Sequence, residues 1–259
     1  MKKDLDVIVH SFSEPEIHIY PISDVHLGSP DHNKKAFMQF VDKILSDPIG
    51  YCVLVGDLCD TALKNSKSDV YTSTMTIMEQ LQTAADLLKP LADAGRILGA
   101  VGGNHEARIS REVGLDASYI IMERLGIKDL YRPALAFIHI TVDNQNPSHD
   151  NRRTYILAIT HGSGGGSSYA FLNKNQHFAQ MIDGCDVLIT GHTHKPAAIA
   201  PARLRVDRRR KTVKVSPILC VTASSWMDYG GYALGMMLLP SATCRPQVIT
   251  LGQSATLTM

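Results

Sequence analysis

Short apolar runs typical of β-strands recur along the first three quarters of the chain. They lie at 6–10, 16–22, 51–55, 97–101, 137–142, 154–159 and 186–189, and polar or turn-forming residues bound them. Apolar runs of this length, rich in β-branched residues, predict strands buried in a sheet.

Longer segments with apolar residues every three or four positions lie between several of these runs and predict helices. They cover 34–45, 72–88, 118–125 and 173–182. The first puts Phe37, Phe40, Val41 and Leu45 on one face, and the second does the same with Met75, Met78, Leu81 and Leu88. Strands that alternate with helices favour an α/β (α+β) layered fold.

The pattern changes after Ala200, where only strands and turns are predicted. The runs 202–206, 212–215, 218–222, 232–239 and 247–251 read as strands. We expect this β-rich part, 197–259, to complete a sheet of the same domain. No linker rich in Pro, Gly or Ser is long enough to divide the chain, so a single domain over 1–259 is expected.

Composition narrows the class of protein. The 259 residues include 26 Lys+Arg against 25 Asp+Glu, with 44% hydrophobic and 20% charged residues. This balance excludes a generally basic nucleic-acid coat and a disordered chain. Five widely spaced cysteines without a C-x-x-C pair argue against a disulfide scaffold and a thiolate zinc site. No apolar run approaches the ~18–20 residues needed to span a bilayer, so a soluble, cytoplasmic protein with no membrane partner is expected.

Five polar clusters follow directly after predicted strands. They are Ser-Asp-Val-His at 23–26, Gly-Asp-Leu-Cys-Asp at 56–60, Gly-Asn-His-Glu at 103–106, Thr-His-Gly at 160–162 and Gly-His-Thr-His at 191–194. In open α/β sheets, binding sites assemble outside the carboxyl ends of the strands. We therefore expect these clusters to meet at one edge of the fold.

Seven side chains in these clusters are candidate metal ligands: Asp24, His26, Asp57, Asn104, His161, His192 and His194. Carboxylates, imidazoles and one amide oxygen, with no thiolate, suit Mn, Fe or Zn and do not suit calcium. Seven ligands exceed one four- to six-coordinate site. They fit two sites that share a bridging carboxylate and clamp a phosphate.

In this order, the clusters resemble the calcineurin-like metallophosphoesterase pattern D-x-H, G-D-x-x-D, G-N-H-[DE], H, G-H-x-H, in particular that of exonuclease-like phage and bacterial members. The matched residues run from Asp24 to His194. The resemblance implies a four-layer fold in which two mixed β-sheets pack as a sandwich flanked by helices. It also suggests a bacterial or phage-encoded protein. Glu106 is the one departure from the commonest pattern, which has Asp there, and both residues are tolerated.

The resemblance implies a role for each matched residue. Asp24, His26 and His194 would hold one divalent cation, Asn104, His161 and His192 a second, and Asp57 would bridge them. Manganese is the first choice, with Fe, Zn or Ni as alternatives. His105 would act beside the phosphate as proton donor or charge stabiliser, and Asp60 would orient it. A hydroxide bound by both cations would be the nucleophile. Asn104, and Arg108 two residues past the G-N-H-E motif, are further expected to contact the substrate phosphate.

These residues predict a binuclear metal-dependent phosphoesterase that hydrolyses phosphate esters. Phosphodiesters, nucleic acid among them, are the first choice of substrate. A phosphomonoesterase, a small-molecule or cyclic-nucleotide phosphodiesterase and a non-catalytic metal-binding scaffold are the alternatives. The complete ligand set argues against the scaffold. The sequence does not predict an oligomeric state.

Three further features leave two interpretations each. The basic run at 203–211 (Arg203, Arg205, Arg208, Arg209, Arg210 and Lys211) is a solvated hairpin tip or a contact for a polyanionic backbone. The glycine-serine patch 162–168 is a phosphate cradle or a loop that borders the site. Trp226, Tyr229 and Tyr232 pack in the protein or stack on a base.

Overall fold

The computed structural model describes residues 6–64, 66, 70–143, 152–164, 169–235 and 237–259, apart from the side chain of Tyr232. Two six-stranded sheets form its centre. In chain order the strands are β1 (Ile8–Ser11), β2 (Ile17–Ile22), β3 (Gly50–Leu54), β4 (Ile97–Val101), β5 (Tyr131–Arg132), β6 (Leu135–Val142), β7 (Arg153–Thr160), β8 (Val187–Thr190), β9 (Ala197–Ile199), β10 (Ala202–Asp207), β11 (Thr212–Pro217), β12 (Leu219–Thr222), β13 (Val248–Leu251) and β14 (Ala255–Thr258).

Both sheets are mixed. The first sheet has the order β1-β6-β7-β8-β12-β9, and the second has the order β14-β13-β2-β3-β4-β5. Strands β7, β8 and β12 are parallel neighbours in the first sheet, and β2, β3, β4 and β5 are parallel in the second. The remaining strands of the second sheet pair antiparallel, and so do β6 with β7 and β9 with β12.

The helices are α1 (Lys34–Ser46), α2 (Ile77–Asp93), α3 (Glu106–Val113), α4 (Ala117–Arg124), α5 (Phe171–Met181) and the short α6 (Gly231–Gly235), with a 3-10 turn at Lys128–Leu130. Their starts follow ordinary capping chemistry. The side chain of Asn33 accepts a hydrogen bond from the amide of Ala36 at the start of α1. Thr76 and Glu79 form a reciprocal capping box at the start of α2. Each cap satisfies amides that have no partner within the helix.

The layers are held by apolar side chains from both faces of each sheet. Ile19, Leu98, Ile138 and Ile159 belong to the core between the two sheets. The outer face of the second sheet packs against α1, α2 and α4, and α5 covers the outer face of the first sheet. This arrangement confirms the predicted fold, two mixed sheets packed as a sandwich and flanked by helices.

Several predicted elements differ from the structure. The helix predicted over 72–88 begins at Ile77, because the capping box fixes its start, and it continues through Pro90 to Asp93. Met78 is exposed on this helix, and Gln80 is buried with its side-chain amide fully hydrogen-bonded. On α1, Ile44 is fully buried and Leu45 is only partly so.

The predicted strand over 232–239 is wrong. The chain forms α6 there, with the amide of Leu234 donating to the carbonyl of Gly230. Leu234, Met237 and Leu239 are exposed, so in the described part of the chain this segment meets no sheet that could bury their side chains. The other C-terminal strands extend both sheets, and β10 and β11 form a separate two-stranded hairpin. Within the described residues, no helix has the length and apolar character that crossing a membrane requires.

Candidate metal centre

Five loops carry the candidate site, and each follows the carboxyl end of a strand. The loops after β2, β3 and β4 leave the second sheet, and those after β7 and β8 leave the first. The two edges meet, because Oδ1 of Asp24 lies 3.2 Å from Nε2 of His194. The packing of the two sheets therefore brings all seven predicted ligands together.

Left-handed backbone conformations are concentrated in these loops. Five of the predicted ligands have φ between +51° and +71°: Asp24, His26, Asp57, His192 and His194. This region is uncommon for residues with a side chain, and such strain clusters at functional sites. Hydrogen bonds between loops hold it in place. The amides of Val25 and His26 both donate to the carbonyl of Asp57, at 2.8 and 3.0 Å.

The first group of ligand atoms joins one carboxylate and two imidazoles. Nε2 of His26 lies 3.0 Å from Nε2 of His194 and 3.8 Å from Oδ1 of Asp24. The side chains of Asp24 and His26 are buried, whereas that of His194 is 35% exposed. The site therefore opens to solvent beside His194.

The second group joins one amide oxygen and two imidazoles. Oδ1 of Asn104 lies 3.0 Å from Nε2 of His161 and 2.6 Å from Nδ1 of His192. The two imidazole nitrogens are 3.3 Å apart. Nδ1 of His161 is 2.7 Å from the carbonyl of Val55 and donates to it, so Nε2 of a neutral His161 presents a lone pair to the group.

Asp57 lies between the two groups. Its Oδ2 is 3.0 Å from Nε2 of His161 and 3.9 Å from Nε2 of His26. Its Oδ1 accepts from the amide of His105 at 2.8 Å, so the orientation of the carboxylate is fixed. Within the described residues, Asp57 belongs to one close set of metal-type ligands with His161 and His192 and to another with His26 and His105.

The donor chemistry of both groups fits divalent cations. Lone pairs of imidazole nitrogen, carboxylate oxygen and amide oxygen converge at two adjacent points, and cations would satisfy them together. In the absence of a cation, protons bound to these side chains must satisfy the lone pairs. Burial alone would lower the pKa of His26, but Asp24 and Asp60 raise it to about 10. Burial likewise opposes charge on His161, yet Asp57 raises its pKa to about 9.

His105 lies beside Asp57 and is held from two sides. Its Nδ1 is 3.0 Å from Oδ1 of Asp60 and 2.9 Å from the Asp60 carbonyl. Nη2 of Arg108 donates to its Nε2 at 2.9 Å. A guanidinium can only donate, so this arrangement requires a neutral His105 with its proton on Nδ1. Burial, and then the charge on His26, keep the pKa of His105 below its usual value.

A family model for calcineurin-like phosphoesterases matches residues 17–196, which include every loop of this site. The chain belongs to the calcineurin-like phosphoesterase family. Comparison with curated protein sequences gives no significant match.

Among solved structures, 103 chains are significantly similar to this calcineurin-like phosphoesterase. Vps29 of Chaetomium thermophilum shares 14% identity with a TM-score of 0.43, and the alignment covers 93% of this chain and 86% of Vps29. GAP50, described as the anchor in the inner membrane complex of Plasmodium, shares 11% identity with a TM-score of 0.39, over 93% of this chain and 83% of GAP50.

Glu106 has a part in the site that the sequence pattern did not reveal. Its buried carboxylate accepts from the amides of Asp57, Cys59 and Gly103, at 3.1, 2.8 and 3.2 Å. It therefore joins the loops after β3 and β4. Burial and the charge on Asp57 raise the pKa of Glu106 to about 7. The acidic position in the G-N-H-[DE] motif was the only signal, and it did not indicate this contact.

The other features noted in the sequence lie outside the two ligand groups. Trp226 is buried and stacks on Phe40 with ring centroids 4.4 Å apart, so the base-stacking hypothesis is wrong for this residue. Tyr229 donates to the carbonyl of Leu238, and the side chain of Tyr232 lies outside the described residues. Residues 165–168 of the glycine-serine patch also lie outside them.

The basic run divides between the two ends of the β10–β11 hairpin. Arg203 lies at its base and donates to the carbonyls of Ile182 and Cys185, at 2.5 and 2.8 Å. Residues 208–211 form the exposed tip, where Asp207 accepts from the amides of Arg209 and Arg210. The run therefore lies in a hairpin with an exposed tip, a geometry that both interpretations of the run allow. Arg203 helps to attach the hairpin to the segment between α5 and β8.

Proposed function

We propose that this protein is a binuclear metal-dependent phosphodiesterase. The observation that carries the proposal is the position of Asp57, whose Oδ2 faces His161 of one ligand group and His26 of the other. A carboxylate between two sets of imidazoles is suited to two cations that share a ligand.

In this proposal, each group of ligands holds one cation. Asp24, His26 and His194 would hold one, Asn104, His161 and His192 the other, and Asp57 both. Manganese is the first choice, because the ligands are nitrogen and oxygen without sulfur, and Fe, Zn and Ni remain alternatives. Bound cations would supply Lewis acidity and lower the pKa of a coordinated water.

The side chains beside the ligands would act on the ester itself. The guanidinium of Arg108 and the side-chain amide of Asn104 would both bind phosphate oxygens. His105, once its Nε2 has taken up a proton from solvent, would give that proton to the leaving oxygen or stabilise the charge that develops there. Asp60 would hold the imidazole by accepting from Nδ1–H, as its 3.0 Å contact with His105 allows. In the structure, Arg108 contacts Nε2 of His105. If Arg108 bound a phosphate instead, this nitrogen would be free to take up and donate a proton.

The preference for diesters rests on the resemblance of 103–108, and of His161 with its glycine tail, to exonuclease-like family members. Nucleic acid is the diester proposed first, because the exposed arginines at the hairpin tip could follow a phosphate backbone. A cytoplasmic location and a bacterial or phage origin belong to the same proposal.

A substrate panel tests it. The full chain loaded with Mn²⁺ is assayed with bis(p-nitrophenyl) phosphate, p-nitrophenyl phosphate, a cyclic nucleotide and single-stranded DNA. We expect hydrolysis of the diesters to exceed that of the monoester, with Asp57→Asn as the inactive control. Faster monoester hydrolysis would establish a phosphomonoesterase instead. Tight metal binding without hydrolysis of any ester would favour the scaffold.

A further inference from the structure

Gln80 is a polar residue on the buried face of α2, with only 1% of its surface exposed. Its Oε1 accepts from the amide of Thr61 at 2.8 Å. Its Nε2 donates to the carbonyl of Met75 at 3.0 Å and to Oγ of Ser73 at 3.3 Å. A buried amide with an acceptor and both donors satisfied is a rigid connection between segments.

Thr61, the residue that Gln80 holds, is fully buried and has a left-handed backbone with φ of +43°. This conformation is unusual for a β-branched residue and requires support from its surroundings. The Thr61 hydroxyl donates to the carbonyl of His105 at 2.5 Å. Thr61 also directly follows Asp60, which contacts the His105 imidazole. Thr61 therefore links Asp60 to the backbone of His105.

The loop after β2 is tied to the same point. Gly28 has φ of +95°, and a Cβ there would lie 2.2 Å from Nε2 of Gln80. The carbonyl of Gly28 accepts from the amide of Thr74, which precedes α2. The loops after β2, β3 and β4 therefore all meet the Gln80–Thr61 pair.

We propose that Gln80 and Thr61 are positioning residues that fix His105 against Asp60 for proton transfer to the leaving group. The inference rests on the proposed phosphoesterase function. Among the hydrogen bonds of the described residues, none joins Gln80 or Thr61 to a metal-ligand side chain. Both residues are uncharged, so they would act on His105 through its backbone. Gln80 suits this role because one amide both accepts from Thr61 and donates to the segment before α2.

The test compares Thr61→Val, which keeps the shape and removes the hydroxyl, with Thr61→Ser, which keeps the hydroxyl. Thr222→Val is the matched control, because Thr222 is also buried and its hydroxyl also hydrogen-bonds side chains, those of Asn175 and Thr190. The readouts are kcat and KM for diesters with good and poor leaving groups, bound metal per chain, and Tm.

For Thr61→Val we expect kcat on a poor leaving group to fall about 10- to 100-fold, the usual cost of removing an orienting partner. The loss should be smaller for p-nitrophenolate, with KM and metal content close to those of the unmodified protein. Gln80→Met should show the same pattern, and Thr61→Ser should restore activity. A Thr61→Val variant that loses stability like Thr222→Val but keeps its kcat on both substrates would overturn the proposal, as would loss of bound metal.

A second readout separates this inference from the proposed function. If the unmodified protein hydrolyses no ester, the function has failed, and the ¹H–¹⁵N signals of the His105 imidazole still report its environment. A change of these signals in Thr61→Val and their recovery in Thr61→Ser would support the positioning role. Unchanged signals in Thr61→Val would overturn it.

Discussion

The Asp57 carboxylate and the His161 imidazole meet across the two sheets, with Oδ2 3.0 Å from Nε2. Asp57 follows β3 in the second sheet, and His161 follows β7 in the first. The two side chains are in contact only when the sandwich is assembled. Cations bound between them would therefore bind the folded chain far better than the unfolded chain.

Metal binding should consequently raise stability. A ligand that binds only the folded state adds about 2.7 kcal/mol to the free energy of unfolding when its concentration is about 100 times its Kd. We expect Mn²⁺ to raise the Tm measured by calorimetry, and excess EDTA to reverse the effect. An equal rise in Asp57→Asn would mean that the ions stabilise the protein at some other place.

His105→Ala separates proton transfer from metal binding. The variant should keep its metal, and turnover should fall by ~10²–10⁴, the usual contribution of general acid catalysis. The loss should shrink for p-nitrophenyl esters, because p-nitrophenolate needs little protonation. Asp60→Asn should show a milder version. An equally severe loss for good and poor leaving groups would point to charge stabilisation in place of proton transfer.

The basic hairpin tip predicts a salt dependence. Replacing Arg208, Arg209 and Arg210 by Ser should weaken binding to long single-stranded DNA and flatten the slope of log affinity against log salt by about one per lost phosphate contact. Hydrolysis of bis(p-nitrophenyl) phosphate should not change. Fluorescence anisotropy at several salt concentrations measures the slope. Unchanged binding at every concentration would make this run a solvated turn.

Asp47, away from the site, gives a pH-dependent prediction. Its Oδ2 accepts from Nδ1 of His18 at 2.6 Å and from the hydroxyl of Tyr20 at 2.8 Å. Burial alone would raise the pKa of Asp47, but these hydrogen bonds lower it below its usual value. Its ionised form therefore stabilises the folded state above the unfolded pKa of about 4, and this contribution is lost as the pH falls through the lower folded value.

Asp47→Asn should accordingly lower the free energy of unfolding by about 1–3 kcal/mol at neutral pH. The difference from the unmodified protein should shrink below about pH 4. Urea unfolding at a series of pH values measures it. Asp42→Asn is the control and should have little effect, because Asp42 is an exposed carboxylate on helix α1, which ends just before Asp47. A difference that stays constant down to low pH would exclude the ionised carboxylate as its source.

Much of the fold was predictable because its strands are short apolar runs with clear boundaries. The run 97–101 coincides with β4, and the helical period over 34–45 matches α1 to within one residue. Helix α3 was not predicted, because its sequence begins inside a motif and has few apolar residues. The start of α2 was displaced because the apolar period continues upstream of the Thr76 cap.

The site was more predictable than the contacts that support it. The candidate ligands repeat a family pattern in a fixed order, so the side chains that the structure brings together, Asp24, His161 and His194 among them, could be named without coordinates. Gln80 could not, because its hydrogen bonds join segments whose separation in the chain follows no pattern. A polar residue at a helix position gives no sign that its amide will be buried against a loop.

Metal content and activity of Asp57→Asn test the central claim most directly. Metal analysis of the unmodified chain after loading with Mn²⁺ should find two ions per chain. Asp57→Asn should retain at most one and should hydrolyse no diester, because both ions would lose their shared charged ligand. Asp42→Asn should behave like the unmodified protein. Two ions per chain with normal turnover in Asp57→Asn would contradict the binuclear centre.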